Sequence, residues 1–308
     1  MKRKQAFSLV ELLIVIGIIA ILAGVMLTQF SSSTDSALSA ACMNNMRTLC
    51  NAVLADASKQ GYYPAAGAYQ YYDEVTAEKK WFQGWIGRSD GNAKVSCYHD
   101  FNDDGEAQHY ALTNGTIWKA IGGRQGAYIC PAHMEYCKDN ARPLPSWSYV
   151  MNSYFGWDLS TAADIATGGR RSFGEYLDFK YSSSPKTRSR PPEKVLLLAE
   201  IPFVENDFQH PDCSTSASEE NDAILKYATE GDLEQRANKA ADGDGETIGF
   251  NHRTGNNYSA HVAFADGHCV KLMLPKDANG DNLRELTSWL CTGLEYTFNG
   301  RTYRKVSE

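Results

Sequence analysis

The sequence predicts an α+β fold in which a long N-terminal helix packs on a mainly antiparallel sheet with loop-rich insertions. Three observations carry this expectation. From Phe7 to Phe30 the chain is almost continuously apolar. From Leu38 to Ala57 apolar residues recur at three- and four-residue spacing, and near the C-terminus two runs alternate on either side of Asp266-Gly267. The hydrophobic period changes from about 3.6 to 2, and the expected element changes with it.

The first element begins with a basic head, Lys2-Arg3-Lys4, followed by the apolar run. At a rise of about 1.5 Å per residue, roughly 20 apolar residues cross a bilayer core as a helix, with the basic head on the cytoplasmic side. A secretory signal has a core of about 7–15 apolar residues and a small-residue cleavage site after it. Here the core is longer and the small residue, Ala6, precedes it. Glu11 lies inside the run, where an ionised carboxylate costs several kcal/mol, roughly, unless it meets a cation.

Residues Ala6-Phe7-Ser8-Leu9-Val10-Glu11-Leu12 resemble the processing signature of type IV prepilins and type II secretion pseudopilins. That family usually has Gly where this chain has Ala6. The resemblance implies cleavage between Ala6 and Phe7 by a prepilin peptidase, N-methylation of Phe7 by the same machinery, and retention of the apolar helix as anchor and assembly core. It also implies that Glu11 pairs with the N-terminal amine of a neighbouring subunit. Such a pair makes a solitary helix costly and a packed one acceptable, which favours a filament.

The second helical segment shows Leu38, Cys42, Met46, Leu49, Val53 and Ala57 on one face, and Gly61-Tyr62-Tyr63-Pro64 ends it. The tract Ser31 to Ser36 between the two segments reads as a junction, with Asp35 or Ser36 able to cap a new helix; the expected picture is one long, bent helix whose second half packs on the globular body. The expected organisation is a leader at 1–6, a transmembrane and assembly helix at 7–30, its amphipathic half at 31–60, and an exported globular domain at 61–308. An acidic insertion at about 206–249 is expected to hold one helix around Asp222 to Ala240. Val195 to Ala199 reads as a buried strand. The alternating runs Ala260 to Phe264 and Val270 to Leu274 read as a hairpin in which Asp266 and Gly267 supply positive φ angles.

This chain also resembles, along most of its length, a subgroup of prepilin-like proteins marked by a C-terminal His-x9-Asp-Gly element. The matching stretches are Cys42-Met43-Asn44-Asn45, Tyr63-Pro64, Leu112-Thr113-Asn114-Gly115, Cys130-Pro131, Ser148 to Asn152, Val195 to Glu200 and Phe264 to His268. Here thirteen residues separate His252 from Asp266 and Gly267, a longer spacing that looks like an insertion at Asn256 to Ser259.

Eight cysteines suit an oxidising compartment. Cys42 and Cys50 lie on one helix about 12 Å apart along its axis, too far to bond. Cys130 and Cys137 are the best local disulfide pair, with a zinc site at Cys130-Pro131-Ala132-His133 and Cys137 as the rival. Eight cysteines allow 105 pairings, so the others stay unassigned.

Three further constellations bear on chemistry. Asp100, Asn102 and Asp104 begin a calcium-type loop, which lacks its closing Glu because Ala111 stands there; no cofactor is required, and calcium is the one considered. His252, His261 and His268 with Asp266 could ligate a metal or move protons, but no spacing joins them, so they read as structural. The aromatic clusters Tyr69 to Tyr72 and Trp81 to Trp85 could bind sugar, although packing is the commoner explanation for such clusters. No nucleophile elbow, zincin motif or phosphate loop is present in the sequence.

Net charge is −7, and removal of a leader holding Lys2, Arg3 and Lys4 takes it to −10, which argues against nucleic acid as a partner. The expected function is therefore a pilin-like or pseudopilin-like structural subunit rather than an enzyme. Its partners would be the prepilin peptidase/methylase, copies of itself or related pilins, and the bacterial inner membrane. It would cross that membrane once, N-terminus cytoplasmic before processing, with its body in the periplasm or at the cell surface. The alternative is an anchored surface protein that binds glycan or calcium and uses the leader only for export.

Overall fold

The computed structural model describes residues 9–67, 69–73, 78–87, 98–99, 106–156, 173, 176–180, 187–204, 223–225, 247–276, 278, 280–292, 296–298 and 301–303. Its spine is α1 (Leu9–Gln60), one helix of 52 residues and therefore about 78 Å long. The Ser31 to Ser36 tract does not cap a second helix; α1 runs through it. Extending a formed helix adds one hydrogen bond per residue, whereas a new helix needs a costly nucleus, so a short polar tract between two strong segments stays helical. Gly61 ends α1 with φ of 78° while its N–H still reaches the Ala57 carbonyl at 2.8 Å.

The two halves of α1 differ in what they touch. Leu9 to Leu22 is exposed at every position, including Leu9 at 76% and Ile21 at 69%. Among the described residues, no helix is long and apolar enough to cross a membrane. In the second half the expected face is the buried one: Cys42, Met46, Leu49, Val53 and Ala57 are all inaccessible, and Leu38 is partly buried at its lower end.

That face packs on a six-stranded, mainly antiparallel sheet. Ahead of the sheet lie a hairpin of β1 (Tyr69–Asp73) with β2 (Glu78–Phe82) and a short pair of β3 (Tyr98–His99) with β4 (Leu144–Pro145). Helices α2 (Glu106–Asn114) and α3 (Pro131–Asp139) fall between β3 and β4. The sheet itself starts with β5 (Tyr149–Asn152). A peripheral hairpin of β6 (Leu177–Lys180) with β7 (Thr187–Arg190) follows. The sheet continues with β8 (Leu196–Glu200), β9 (Ile224–Leu225), β10 (His252–Thr254), β11 (Asn257–Phe264) and β12 (Cys269–Met273). Helix α4 (Gly280–Thr292) packs on β8, and β13 (Tyr296–Phe298) pairs with β14 (Arg301–Tyr303).

Register places the strands. Val262 of β11 faces Val270 of β12 on one edge and Ala199 of β8 on the other. Ser259 faces Met273 of β12 on the first edge and His252 of β10 on the second. Strands β8 and β10 therefore lie end to end along the same edge of β11, although about fifty residues separate them in sequence. β8 pairs next with β5, antiparallel, and β5 with β9, parallel. Both α1 and α4 touch β8, and every residue of β8 is buried, as the short continuous apolar run predicts.

Two expectations need correction. The hairpin β11–β12 forms at Asp266-Gly267, but only Gly267 takes a positive φ, 101°. The connection is a four-residue loop closed by the Gly267 amide on the Phe264 carbonyl, so Asp266 needs no left-handed backbone. A side chain at 267 would also meet Leu54 of α1 at 2.7 Å, so glycine lets the hairpin tip lie against the helix. In the acidic insertion Ala223 takes a positive φ of 66° and Ile224–Leu225 forms β9, so the helix expected around Asp222 to Ala240 is not formed at 223–225. Docking beside Met151 and Asn152 buries Leu225, which local helix preference could not do. The rest of that insertion lies outside the described residues.

Candidate functional site

The end-to-end arrangement of β8 and β10 concentrates polar groups in an otherwise apolar interface. Glu200, the last residue of β8, is fully buried. Its Oε1 lies 2.9 Å from His252 Nε2 and 3.0 Å from His261 Nδ1, and its Oε2 accepts the His261 backbone N–H at 3.1 Å. His252 opens β10 and His261 sits mid-way along β11; their rings are 4.4 Å apart between centroids. Burial by itself would raise the Glu200 carboxyl, but the charges and hydrogen bonds of the two imidazoles outweigh it and hold the group down at about 2.

Helix α1 closes this cluster from above. Ser39 Oγ lies 3.1 Å from His261 Nε2. One turn further, Cys42 is bonded to Cys130, with Cα atoms 4.9 Å apart, and Cys130 Sγ lies 3.7 Å from His252 Nε2. This corrects the expected Cys130–Cys137 disulfide. Pro131 opens α3 instead of lying in a loop, so Cys137 sits about two turns, roughly 10 Å of rise, from Cys130. Cys42 comes within reach because it projects from the buried face of α1 just where the chain enters α3. The Tyr149 hydroxyl donates to the Cys42 carbonyl at 3.2 Å and adds a further tie between helix and sheet.

The chain Ser39–His261–Glu200 has the connectivity of nucleophile, base and orienting carboxylate. Ser39 is only 6% exposed, and the carboxylate oxygen that would orient His261 is shared with His252. The zinc reading at Cys130, His133 and Cys137 also lacks support, because His133 turns toward Ser148, with Nδ1 2.8 Å from its Oγ, and stacks on Phe203 at 4.3 Å.

His133 carries a pH prediction. Burial pushes it down to about 3, so its ring stays neutral beside Ser148 Oγ, which accepts the Cys130 N–H at 2.9 Å. The folded state binds a proton less readily than the unfolded chain, whose imidazole titrates at about 6.5. Stability is therefore fully present above about pH 6.5 and falls toward pH 3, by at most about 1.4 kcal/mol per pH unit for this group. Urea midpoints between pH 7 and 5 should fall less steeply in His133→Gln than in the parent; parallel profiles would contradict the assignment.

Of the remaining expected residues, Asp266 accepts from the His268 backbone N–H at 3.1 Å and lies 2.6 Å from its Nδ1, an exposed pair that closes the hairpin turn. It does not approach the Glu200 cluster in any bond described. His252, by contrast, does join it. Trp85 is fully buried and donates its indole N–H to the Ala223 carbonyl at 3.1 Å, so this member of the aromatic cluster is core. Cys50 of α1 points its thiol at the Phe264 carbonyl and Cys269 of β12 at that of Gly267, and the proximity of the two thiols raises that of Cys50 and lowers that of Cys269. The calcium-loop residues Asp100, Asn102 and Asp104, and the processing residues Ala6 and Phe7, lie outside the described residues. Glu11 stands in the first turn of α1, within the exposed apolar segment.

The N-terminal segment is also where a known family appears. Residues 1–27 match the prokaryotic N-terminal methylation motif. No curated protein and no solved structure matches the chain. The match makes the N-terminus a prepilin-type leader. Such a leader implies processing by a prepilin peptidase, export, and anchoring in the inner membrane through the N-terminal helix.

Proposed function

We propose that this protein is a type IV pilin-like or pseudopilin-like structural subunit, cut between Ala6 and Phe7, N-methylated on Phe7 and assembled into an envelope filament or secretion pseudopilus. The observation that carries this reading is the prepilin-type leader running directly into one long helix with two kinds of surface. Residues 9–22 present apolar side chains to the outside, while Cys42 to Ala57 grip the sheet. A helix of this kind leaves its first half available for the bilayer and then for the same helix of other subunits, burying apolar surface each time. Glu11 supplies registry: a new α-ammonium on Phe7 of a neighbouring copy is the cation that its carboxylate would seek among apolar side chains. The body would stand in the periplasm or at the cell surface. As the finer assignment we propose the subgroup with the His-x9-Asp-Gly element, with the β10–β11 hairpin lengthened at Asn256 to Ser259.

Mass spectrometry of the protein from native membranes tests the processing step. A mature chain beginning at N-methylated Phe7 is expected; a chain that retains Met1, or is cut after the apolar run, would overturn the reading. Glu11→Ala tests assembly. Processing should continue while filaments are lost at least about tenfold, the cost of roughly 1.4 kcal/mol per subunit contact. Filaments undiminished in that variant, or absent from the parent under all conditions of expression, would favour an anchored surface protein that uses the leader only for export.

A further inference from the structure

We propose that Cys42, Cys130, His252 and Glu200 are the ligands of a zinc(II) site that is latent in the disulfide form of the protein and is completed by reduction. One ligand atom from each of the four lies within 4.8 Å of every other, and all four residues are buried. Two thiolates, an imidazole and a carboxylate form a donor set suited to four-coordinate zinc, a borderline-soft ion that accepts sulfur, nitrogen and oxygen together. With Zn–S near 2.3 Å and Zn–N or Zn–O near 2.0–2.1 Å, a tetrahedral site has edges of about 3.3–3.8 Å. The Cys130 Sγ to His252 Nε2 distance, 3.7 Å, already equals such an edge, and the 2.9 Å between His252 Nε2 and Glu200 Oε1 needs to open by only a few tenths of an ångström.

The surroundings are those a metal site needs. The carboxylate is held by His261, whose Nδ1 lies 3.0 Å from Oε1 and whose backbone N–H donates to Oε2, and His261 is steadied in turn by Ser39. Ligands fixed in this way lose little freedom when an ion arrives. They also come from separate parts of the fold: α1, the residue preceding α3, the end of β8 and the start of β10. A bound ion would therefore join the same elements that the disulfide joins.

The redox step balances with a dithiol as reductant. Its thiolate attacks one sulfur of the Cys42–Cys130 bond, its second thiol releases the mixed disulfide, and the reductant departs as a disulfide. Two electrons and two protons have then passed to Cys42 and Cys130. Zinc binding releases those two protons from the thiols and moves no electrons, and the proton that His252 Nε2 directs at Glu200 moves to Nδ1 or is released so that Nε2 can bind the ion.

The test uses the full chain in detergent, reduced with a dithiol, desalted without oxygen and titrated with zinc(II), and separately with cobalt(II) as a spectroscopic probe. One ion per chain is expected in the reduced form and none at this site in the oxidised form. Cobalt should give a thiolate-to-metal charge-transfer band and the intense visible bands of a tetrahedral centre. Zinc at 100-fold excess over its Kd should raise the melting midpoint of the reduced chain by about 5–10 °C. His252→Ala should weaken zinc binding more than about 100-fold, beyond the loss from a group that only orients a ligand. Cys50→Ala should leave the cobalt spectrum unchanged. The proposal is overturned if the reduced parent binds no ion, folded or unfolded, if cobalt shows no thiolate band, or if the signal survives Cys42→Ala and disappears in Cys50→Ala. Because the cobalt spectrum is read on the parent chain, a variant that fails to fold does not shelter the idea.

Discussion

Glu200→Ala is expected to cost about 3–5 kcal/mol of stability, the range for removing one partner from a buried charged network. Three donors depend on this carboxylate: His252, His261 and the His261 backbone N–H. The alanine leaves all three without their acceptor in a fully buried site and adds a cavity, and each orphaned group costs about 1–3 kcal/mol by itself. Glu200→Gln is expected to cost less, because an amide oxygen in the Oε1 position still accepts from both imidazoles, but its NH2 group then faces the His261 backbone N–H. Guanidinium denaturation of the two variants should rank them parent, Gln, Ala. An Ala variant as stable as the parent would mean that the network contributes nothing to holding the helix on the sheet.

The second large effect concerns the disulfide. Cys42 and Cys130 are 88 residues apart, and closing a loop of that length lowers the entropy of the unfolded chain by an amount equivalent to about 4–5 kcal/mol at 25 °C. The double variant Cys42→Ala/Cys130→Ala should lose most of this, with a reduced denaturation midpoint and a smaller change in slope. Cys137→Ala should behave quite differently, as a buried cysteine outside that bond, losing only about 1–2 kcal/mol for the packing it gives up. If Cys137→Ala were the more damaging of the two, the pairing would be wrong. Because Cys130 Sγ also approaches His252, the disulfide and Glu200 substitutions should not add: their combination should cost less than the separate losses together.

What could be read from the sequence follows from the range over which each signal acts. The helix face from Cys42 to Ala57 and the hairpin at Asp266-Gly267 are local patterns, and both stand in the structure. So does the buried strand at Val195 to Ala199, one residue shifted. Glu200 ends that apolar run with no partner legible in the sequence, and the histidines that hold it are 52 and 61 residues further on. Nothing in local spacing links β8 to β10, because their alignment along one edge of β11 appears only once the sheet is paired. The cysteines failed for the same reason. Nearness in sequence favoured Cys137, while a proline that starts a helix sends Cys137 away and a long helix brings Cys42 close. The Ser31 to Ser36 tract carries a local capping signal, yet the long helix expected on the strength of the two flanking segments runs through it.

The single helix and its cross-link have a mechanical consequence. α1 is exposed at residues 9–22 and 34–37 and enters the interface at Ser39, so the Cys42–Cys130 bond lies at the very mouth of that interface. A pull on the exposed end meets a covalent rivet before it meets the packed face beyond. Tension is thereby handed to the segment entering α3 and to the edge of the sheet, and the apolar contacts from Met46 to Ala57 are spared the peeling that begins at an unfastened end. The helix is in this sense a handle bolted to its blade at the point of greatest leverage.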